Sequence, residues 1–229
     1  MKILISILIL FFIFNIGLAI TEKEELTKAK PILPILTEKI NKYWNDLKYR
    51  HYIAGQISQE SCASLKKCWN PNVEFKTERE YGFGLSQVTV AYDKYGKERF
   101  NKFLEAKRKY KELTSWKWED RFNVQYQLIF IVLEDKRLYN SVSKLFTGEI
   151  NRMAGMFVSY NAGGGTVSQR RALCKVTKGC DYKKWFGGLD SVRMDYEKQL
   201  LYGQRLCEMR NKYPFNIIFK RSEKYKGKI

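Results

Sequence analysis

Hydrophobic residues along this chain recur mostly at helical spacing. Within residues 122–133, and again within 150–158, apolar side chains lie three and four positions apart, as on one face of an α-helix. The same spacing predicts a helix over residues 37–47, which Thr37 can cap, and another that ends near residue 60. Further helices are predicted at about 97–112, 119–135, 138–146, 149–162, 166–175 and 191–211.

Residues 63–90 interrupt this helical pattern. The segment contains Trp69, Pro71 and two glycines, and Gln87–Tyr92 is a short run with strand preference. We therefore expect a loop and a small, irregular β element there. With 229 residues, 45% of them hydrophobic, the chain can bury the core of one domain. The predicted fold class is mainly α with a small β element, an α+β single domain.

Residues 1–19 have the features of an export signal. Lys2 precedes an apolar stretch over residues 3–16, and Gly17 and Ala19 are the small residues expected before a cleavage site. The apolar stretch also approaches the lower length limit of a membrane-spanning helix, so an uncleaved anchor that contacts the membrane is the alternative. Both alternatives predict export to the periplasm or cell envelope.

The predicted domain occupies residues 37–212, between two segments of different character. Residues 20–36 are predicted to form a spacer, because Pro31 and Pro34 interrupt any helix there. Residues 213–229 end in a run of basic residues and are predicted to form a mobile tail.

Five cysteines agree with an oxidising compartment. Cys62 and Cys68 are close in sequence, as are Cys174 and Cys180, which suggests two short-loop disulfides and a free thiol at Cys207. The alternative is that several of these cysteines are buried thiols. Neither pair has the spacing of a zinc site, and the chain contains one histidine, so no metal or cofactor is predicted.

A net charge of +18 predicts an acidic polymer or surface as the partner. Nucleic acid and an anionic bacterial cell wall would both match this charge. Export favours the wall, so no nucleic-acid partner is expected. The alternative is that many of the lysines simply keep the protein soluble. The sequence predicts no oligomeric state.

Glu60 is the strongest candidate for catalysis. Ile53, Ile57 and Glu60 share one face of the predicted helix, so the carboxyl group continues an apolar stripe. Burial there would raise the pKa of Glu60 towards neutrality, as a general acid requires. Two glycine-containing polar segments follow along the chain, at Gly82–Gln87 and Ser159–Gly164. A poised carboxylic acid with such segments is typical of acid catalysis on a sugar bond.

Three motifs, in this order and spacing, resemble those of the lysozyme-like lytic transglycosylases of the soluble, family 1 type. They are Glu60–Ser61, Gly84–Gln87 and Ser159–Gly163. The resemblance covers about residues 45–165 by motif. It implies a lysozyme-like fold, related to goose-type lysozyme, and cleavage of peptidoglycan glycan strands between N-acetylmuramic acid and N-acetylglucosamine.

The resemblance also implies roles around the acid. Glu60 would protonate the leaving glycosidic oxygen and then act as a base, and Ser61 would orient the substrate or the carboxyl group. Tyr160 would lie against Glu60 and help to hold its protonation state.

Other residues of the motifs would bind the substrate. Ser86 and Gln87 would line the sugar cleft, and Asn161 would bind an acetamido group. Ser86 stands where the family usually has methionine, which removes an apolar wall contact. Ser159 stands where the family usually has alanine, a smaller change.

The resemblance leaves two acceptors open. In transglycosylases of this type, the sugar's own 6-hydroxyl attacks the anomeric carbon and forms a 1,6-anhydro product, so one acid/base suffices. A hydrolytic muramidase would need a second carboxylate or another way to position water, and Glu74, Glu78 and Glu80 are the candidates. A third possibility is a wall-binding module without activity.

Overall fold

The computed structural model describes residues 21–194 and 202–229. It is mainly helical with one small antiparallel sheet, which confirms the predicted α+β class. None of the helices within these two ranges is long and apolar enough to cross a membrane. The predicted signal or anchor over residues 1–19 lies outside them. The α-helices of the described residues are Glu22–Ala29 (α1), Leu33–Tyr43 (α2), His51–Ser61 (α3), Lys102–Lys109 (α4), Val124–Val142 (α5), Glu149–Ala162 (α6), Gly164–Val176 (α7) and Tyr202–Phe215 (α8).

The sheet is an antiparallel meander in which each strand pairs with the next along the chain. Its strands are Glu74–Lys76 (β1), Glu80–Phe83 (β2), Val88–Tyr92 (β3) and Glu98–Asn101 (β4). The β element predicted within residues 63–90 is confirmed. The start of the predicted helix 97–112 is wrong, because β4 occupies its first residues. α4 begins at Lys102, where the Asn101 side chain accepts a hydrogen bond from the Leu104 backbone and caps the helix.

The two helices predicted over residues 119–146 form mainly one. α5 runs unbroken through Val124–Val142, a stretch without glycine or proline, and the Asn123 side chain caps its first turn. α6 has the bounds predicted from the hydrophobic spacing, and it ends at Gly163 as expected.

The predicted spacer over residues 20–36 is wrong, because this segment forms α1 and the start of α2. Thr21 and Glu24 make a reciprocal capping box at the start of α1. Pro34 lies in the first turn of α2, where its missing N–H would have no partner in the helix. Thr37 is therefore inside α2 and not its cap, and Leu36 is fully buried.

The segment predicted as a mobile tail is packed. After α8, a π-helical stretch over Asn216–Arg221 buries Ile217 against α3. Tyr225 is fully buried, where it donates a hydrogen bond to Glu25 of α1. Glu25 also accepts a hydrogen bond from Ser58 of α3. Residues near both ends of the described chain therefore contact α3, the helix that carries Glu60.

The disulfide prediction is confirmed. Cys62 pairs with Cys68, Cys174 pairs with Cys180, and Cys207 is buried and free. Glu25 lies close to the first pair, but a sulfur that is bonded in a disulfide is not a thiolate ligand for a metal.

Buried side chains form two clusters. The larger one joins the helices, and the smaller one lies between the sheet, α4 and α5, with Phe83, Trp116 and Phe130 at its centre. Tyr43 and Tyr160 pack against both clusters. Tyr160, a residue of the predicted Ser159–Gly163 motif, thus lies at the boundary between the two clusters.

Candidate active site

α3 carries Glu60 in its last turn. One face of this helix, with Ile53 and Ile57, is fully buried in the larger cluster. Glu60 extends that face and remains partly exposed. Burial raises the pKa of Glu60 to about 7, against the opposing effect of a hydrogen bond from Tyr213. The carboxyl group can therefore act as an acid or as a base near neutral pH.

Tyr213 is the residue at this site that the sequence motifs missed. Its hydroxyl donates a hydrogen bond to Oε1 of Glu60. It lies in α8, one position beyond the predicted domain boundary at residue 212. The apolar run over residues 213–219 is the one signal that could have placed this segment in the core.

Tyr160 is close enough to Glu60 for its pKa to respond to the Glu60 charge, but it makes its hydrogen bond to a different residue. Its hydroxyl donates a hydrogen bond to the backbone carbonyl of Ser86 at 2.5 Å. Burial raises the pKa of Tyr160 well above its ordinary value, and the negative charge of Glu60 raises it further. Tyr160 is therefore a neutral hydrogen-bond donor that ties α6 to the Gly84–Gln87 turn.

Gln127 of α5 holds the Gly84–Gln87 turn in place through hydrogen bonds of its side-chain amide. The Gln127 Oε1 accepts a hydrogen bond from the Leu85 backbone at 2.8 Å, and its Nε2 donates to the carbonyl of Pro71 at 2.8 Å. Gly84 has a φ of 74°, and a Cβ there would lie 2.4 Å from Cδ of Gln127. Glycine is thus required both for the backbone conformation and for the close approach of Gln127.

The two substrate-binding candidates of this turn differ in exposure. Ser86 is fully buried, and its hydroxyl has no hydrogen-bond partner in the described part of the chain. Gln87 is partly exposed and donates through Nε2 to the carbonyl of Gly84 at 2.8 Å. Gln87 can therefore present its side-chain oxygen to a ligand, while Ser86 supplies the carbonyl that Tyr160 binds.

The hydroxyl of Ser61 bonds to backbone groups on both sides of the end of α3. It is fully buried, donates to the carbonyl of Ile57 at 2.7 Å and accepts from the backbone N–H of Trp69 at 3.2 Å. Its hydroxyl holds the end of α3 against the loop closed by the Cys62–Cys68 disulfide. Within the described residues, the Ser61 hydroxyl makes no hydrogen bond to the Glu60 carboxyl group.

A fully buried acid on α5, Asp135, was not predicted as a site residue. Gln56 lies one turn before Glu60 on α3 and donates to Oδ1 of Asp135 at 3.3 Å. Within the described residues, the other carboxyl oxygen of Asp135 and the side-chain oxygen of Gln56 have no hydrogen-bond partner. Burial raises the pKa of Asp135 well above its ordinary value, and the charges of Glu134 and Glu60 add to the effect. The neutral carboxylic acid is therefore favoured.

A cleft of about 660 Å³ opens between the sheet, α5 and the junction of α6 and α7. Of the predicted site residues, Gln87, Tyr160 and Asn161 line it, whereas Glu60, Ser61 and Ser86 are not among its lining residues. Glu80 also lines it, while Glu74 is an exposed residue that accepts a hydrogen bond from Tyr81. A separate cavity of about 740 Å³ beside α1 contains none of the predicted site residues.

No model of a known protein family matches this chain, and no curated protein matches it either. Function is therefore inferred from the environment of Glu60, from the cleft and from the hydrogen bond that joins the Gly84–Gln87 and Ser159–Gly163 motifs.

Proposed function

We propose that this protein is an exported peptidoglycan lytic transglycosylase with a lysozyme-like fold. Glu60 is its general acid/base, and the bond cleaved is the β-1,4 bond between N-acetylmuramic acid and N-acetylglucosamine. The observation that carries the proposal is the environment of Glu60, a carboxyl group with a pKa of about 7 that is hydrogen-bonded to Tyr213. The cleft lined by Gln87, Tyr160 and Asn161 supports it.

The reaction uses both protonation states of Glu60. The protonated carboxyl group gives its proton to the glycosidic oxygen as the bond to the anomeric carbon breaks. The resulting carboxylate then takes the proton of the 6-hydroxyl as that oxygen bonds to the anomeric carbon. Tyr213 stabilises the carboxylate between the two steps by its hydrogen bond.

The acids around the cleft favour the 6-hydroxyl over water as the acceptor. Burial alone would raise the pKa of Glu134, but hydrogen bonds from Arg137 and Tyr110 lower it to about 2, which makes it a weak base. Asp135 is fully buried and favoured in its neutral form. Glu80 is the one acid of the cleft that is exposed, and it is the candidate base for the alternative, a hydrolytic muramidase.

Export is part of the proposal. Two disulfides within the described residues favour an oxidising compartment, where peptidoglycan is accessible. The strongly basic surface implied by a net charge of +18 suits an anionic wall.

Product analysis tests the proposal. Purified peptidoglycan is digested with the wild-type protein and with Glu60→Gln, which keeps an oxygen that can accept from Tyr213. We expect mass spectrometry to find 1,6-anhydro muropeptides, lighter by one water than hydrolytic products, and the variant to release none. Reducing-end muramic acid alone would favour the muramidase. Full activity of Glu60→Gln would overturn the catalytic role of Glu60.

A further inference from the structure

The cleft carries more positive charge than a neutral glycan requires. Among the described residues, two acidic ones line it, Glu80 and Glu134. Four basic residues from the same part of the chain also line it: Arg99, Lys102, Arg137 and Arg210. Hydroxyl and acetamido groups carry no charge, so the sugar backbone alone does not explain this excess.

Arg137 is held in a fixed geometry by Glu134. Its Nε donates to one carboxylate oxygen at 3.0 Å and its Nη2 donates to the other at 2.6 Å. Glu134 also accepts a hydrogen bond from Tyr110 and lies 3.5 Å from Nζ of Lys109. One carboxylate thus faces two cations, and the local charge remains positive. Such an arginine binds an anion with little loss of side-chain entropy.

The third nitrogen of the Arg137 guanidinium is available to a ligand. Within the described residues, Nη1 makes no hydrogen bond, and the Arg137 side chain is 41% exposed while it lines the cleft. A guanidinium that is oriented by one carboxylate and still offers N–H donors suits a second carboxylate.

Arg99 reaches the same cleft from strand β4. It is exposed, and no carboxylate of the described residues lies within ion-pair distance of its guanidinium. Lys102, which follows at the start of α4, already pairs with Glu105 at 3.1 Å. Of Arg99, Lys102 and Arg137, the two arginines are therefore better placed than the lysine to bind a ligand.

We propose that the cleft recognises a carboxylate carried by the glycan strand, through Arg137 and Arg99. The inference rests on the proposed function, since it takes the ligand to be a peptidoglycan strand. Two sources share this chemistry: the lactyl carboxylate of peptide-free muramic acid and the free carboxylates of an attached peptide. A neutral N-acetylglucosamine oligomer has neither.

Binding to three probes tests the inference in an inactive Glu60→Gln background. The probes are an N-acetylglucosamine oligomer, peptide-free glycan strands and peptide-bearing glycan strands. Arg99→Gln and Arg137→Gln are compared with Arg108→Gln, which removes the same charge from an exposed position on α4 outside the cleft. We expect each cleft variant to weaken binding of carboxylate-bearing strands roughly tenfold. Binding of the neutral oligomer should stay unchanged.

The probes also identify the source. A loss seen with peptide-free strands supports the lactyl carboxylate, and a loss confined to peptide-bearing strands supports the peptide. An effect no larger than that of Arg108→Gln, or an equal loss for the neutral oligomer, would overturn the inference. Arg137→Gln removes the main partner of Glu134, so this variant could fail to fold. Arg99 makes no ion pair within the described residues, so Arg99→Gln can be tested in that case.

Failure of this inference differs from failure of the proposed function. If the wild-type protein cleaves peptidoglycan, Glu60→Gln does not, and the arginine variants bind as tightly as the control, only the carboxylate recognition is wrong. If Glu60→Gln cleaves as well as the wild type, the proposed function itself is wrong.

Discussion

The hydroxyl of Tyr213 donates a hydrogen bond to Oε1 of Glu60 across a sequence separation of 153 residues. Two effects meet at this carboxyl group. Burial favours the neutral acid and raises the pKa, while the hydrogen bond favours the carboxylate and lowers it. The balance leaves the pKa of Glu60 at about 7. Tyr213 is therefore the residue through which the protonation state of Glu60 can be changed without removing the carboxyl group.

Tyr213→Phe should move the pH dependence of activity upwards. The change removes the donor but keeps the ring, so the effect of burial is left without opposition and the pKa of Glu60 rises. Because the first step needs protonated Glu60, we expect the alkaline limb of the kcat/KM profile to shift to higher pH by roughly one unit. Turnover should fall, since the carboxylate intermediate loses its donor.

The measurement is the pH profile of glycan release from peptidoglycan. Tyr160→Phe is the matched control, because that hydroxyl bonds to the Ser86 carbonyl and not to Glu60. Its alkaline limb should stay at the wild-type position even if activity falls. A limb that moves to lower pH in Tyr213→Phe would contradict the role assigned to Tyr213.

Glu60→Gln should make the protein more stable at alkaline pH. The pKa of Glu60 is raised in the folded state, so its contribution to stability is fully present below the unfolded value of 4.5 and is lost as the pH rises through about 7. One pH unit of pKa difference corresponds to about 1.4 kcal/mol, and partial exposure of the side chain reduces the total. We expect the variant to gain about 2 kcal/mol at pH 8.

Urea unfolding of both proteins from pH 4 to pH 8 measures this gain. The two free energies of unfolding should converge below pH 4.5, where both side chains are neutral. A constant difference across the whole range would show that the substitution acts through packing and not through the charge.

Asp135→Asn should be tolerated, and Asp135→Leu should not. Because burial favours neutral Asp135, an amide of the same shape keeps an acceptor for Gln56. Because the pKa of Asp135 is raised in the folded state, the wild-type protein loses stability as the pH rises. At pH 8, Asp135→Asn should therefore be more stable than the wild type. Leucine leaves the Gln56 amide without an acceptor, at a cost of roughly 1–3 kcal/mol. Equal stability of the two variants at pH 7, measured by thermal unfolding, would contradict this account.

Gly84→Ala should be far more damaging than Gly96→Ala. Both glycines have positive φ, 74° and 78°, so alanine is strained at either position. A Cβ at Gly96 meets no atom within 4 Å, whereas one at Gly84 would lie 2.4 Å from Cδ of Gln127. We expect a loss of about 1 kcal/mol at Gly96 and of roughly 3 kcal/mol at Gly84.

Only the change at Gly84 should also reduce wall lysis, because displacement of Gln127 releases the turn that carries Gln87. The checks are chemical denaturation and a turbidity assay at a temperature where both variants stay folded. The same loss of stability at both positions would mean that backbone strain alone accounts for the effect.

Local patterns in the sequence were sufficient for some elements. Hydrophobic spacing gave the bounds of α6, and sequence proximity gave both disulfides, because each depends on residues close together in the chain. Proline was misleading at Pro34, because its effect depends on its place in the helix, which the sequence alone does not specify.

The contacts that build the site are long-range, and no local pattern encodes them. Two hydrogen bonds join distant segments, one from Tyr213 to Glu60 and one from the Leu85 backbone to Gln127. The motifs identified candidate segments, but they do not specify the hydrogen bonds that their side chains make. Ser61 was therefore predicted to bind or orient the substrate, whereas its hydroxyl bonds to backbone groups. Asp135 gave one local hint, as an acidic residue within the predicted core helix over residues 119–135.

The packing of the C-terminal segment on α3 has a consequence for the order of synthesis. Glu60 emerges from the ribosome 153 residues before its partner Tyr213, and the buried Tyr225 follows later still. A nascent or truncated chain that stops before α8 possesses the acid and both glycine-containing segments, yet lacks the hydroxyl that adjusts that acid. Under the proposed function, the general acid/base and its hydrogen-bond donor are thus assembled only after α8 has been made.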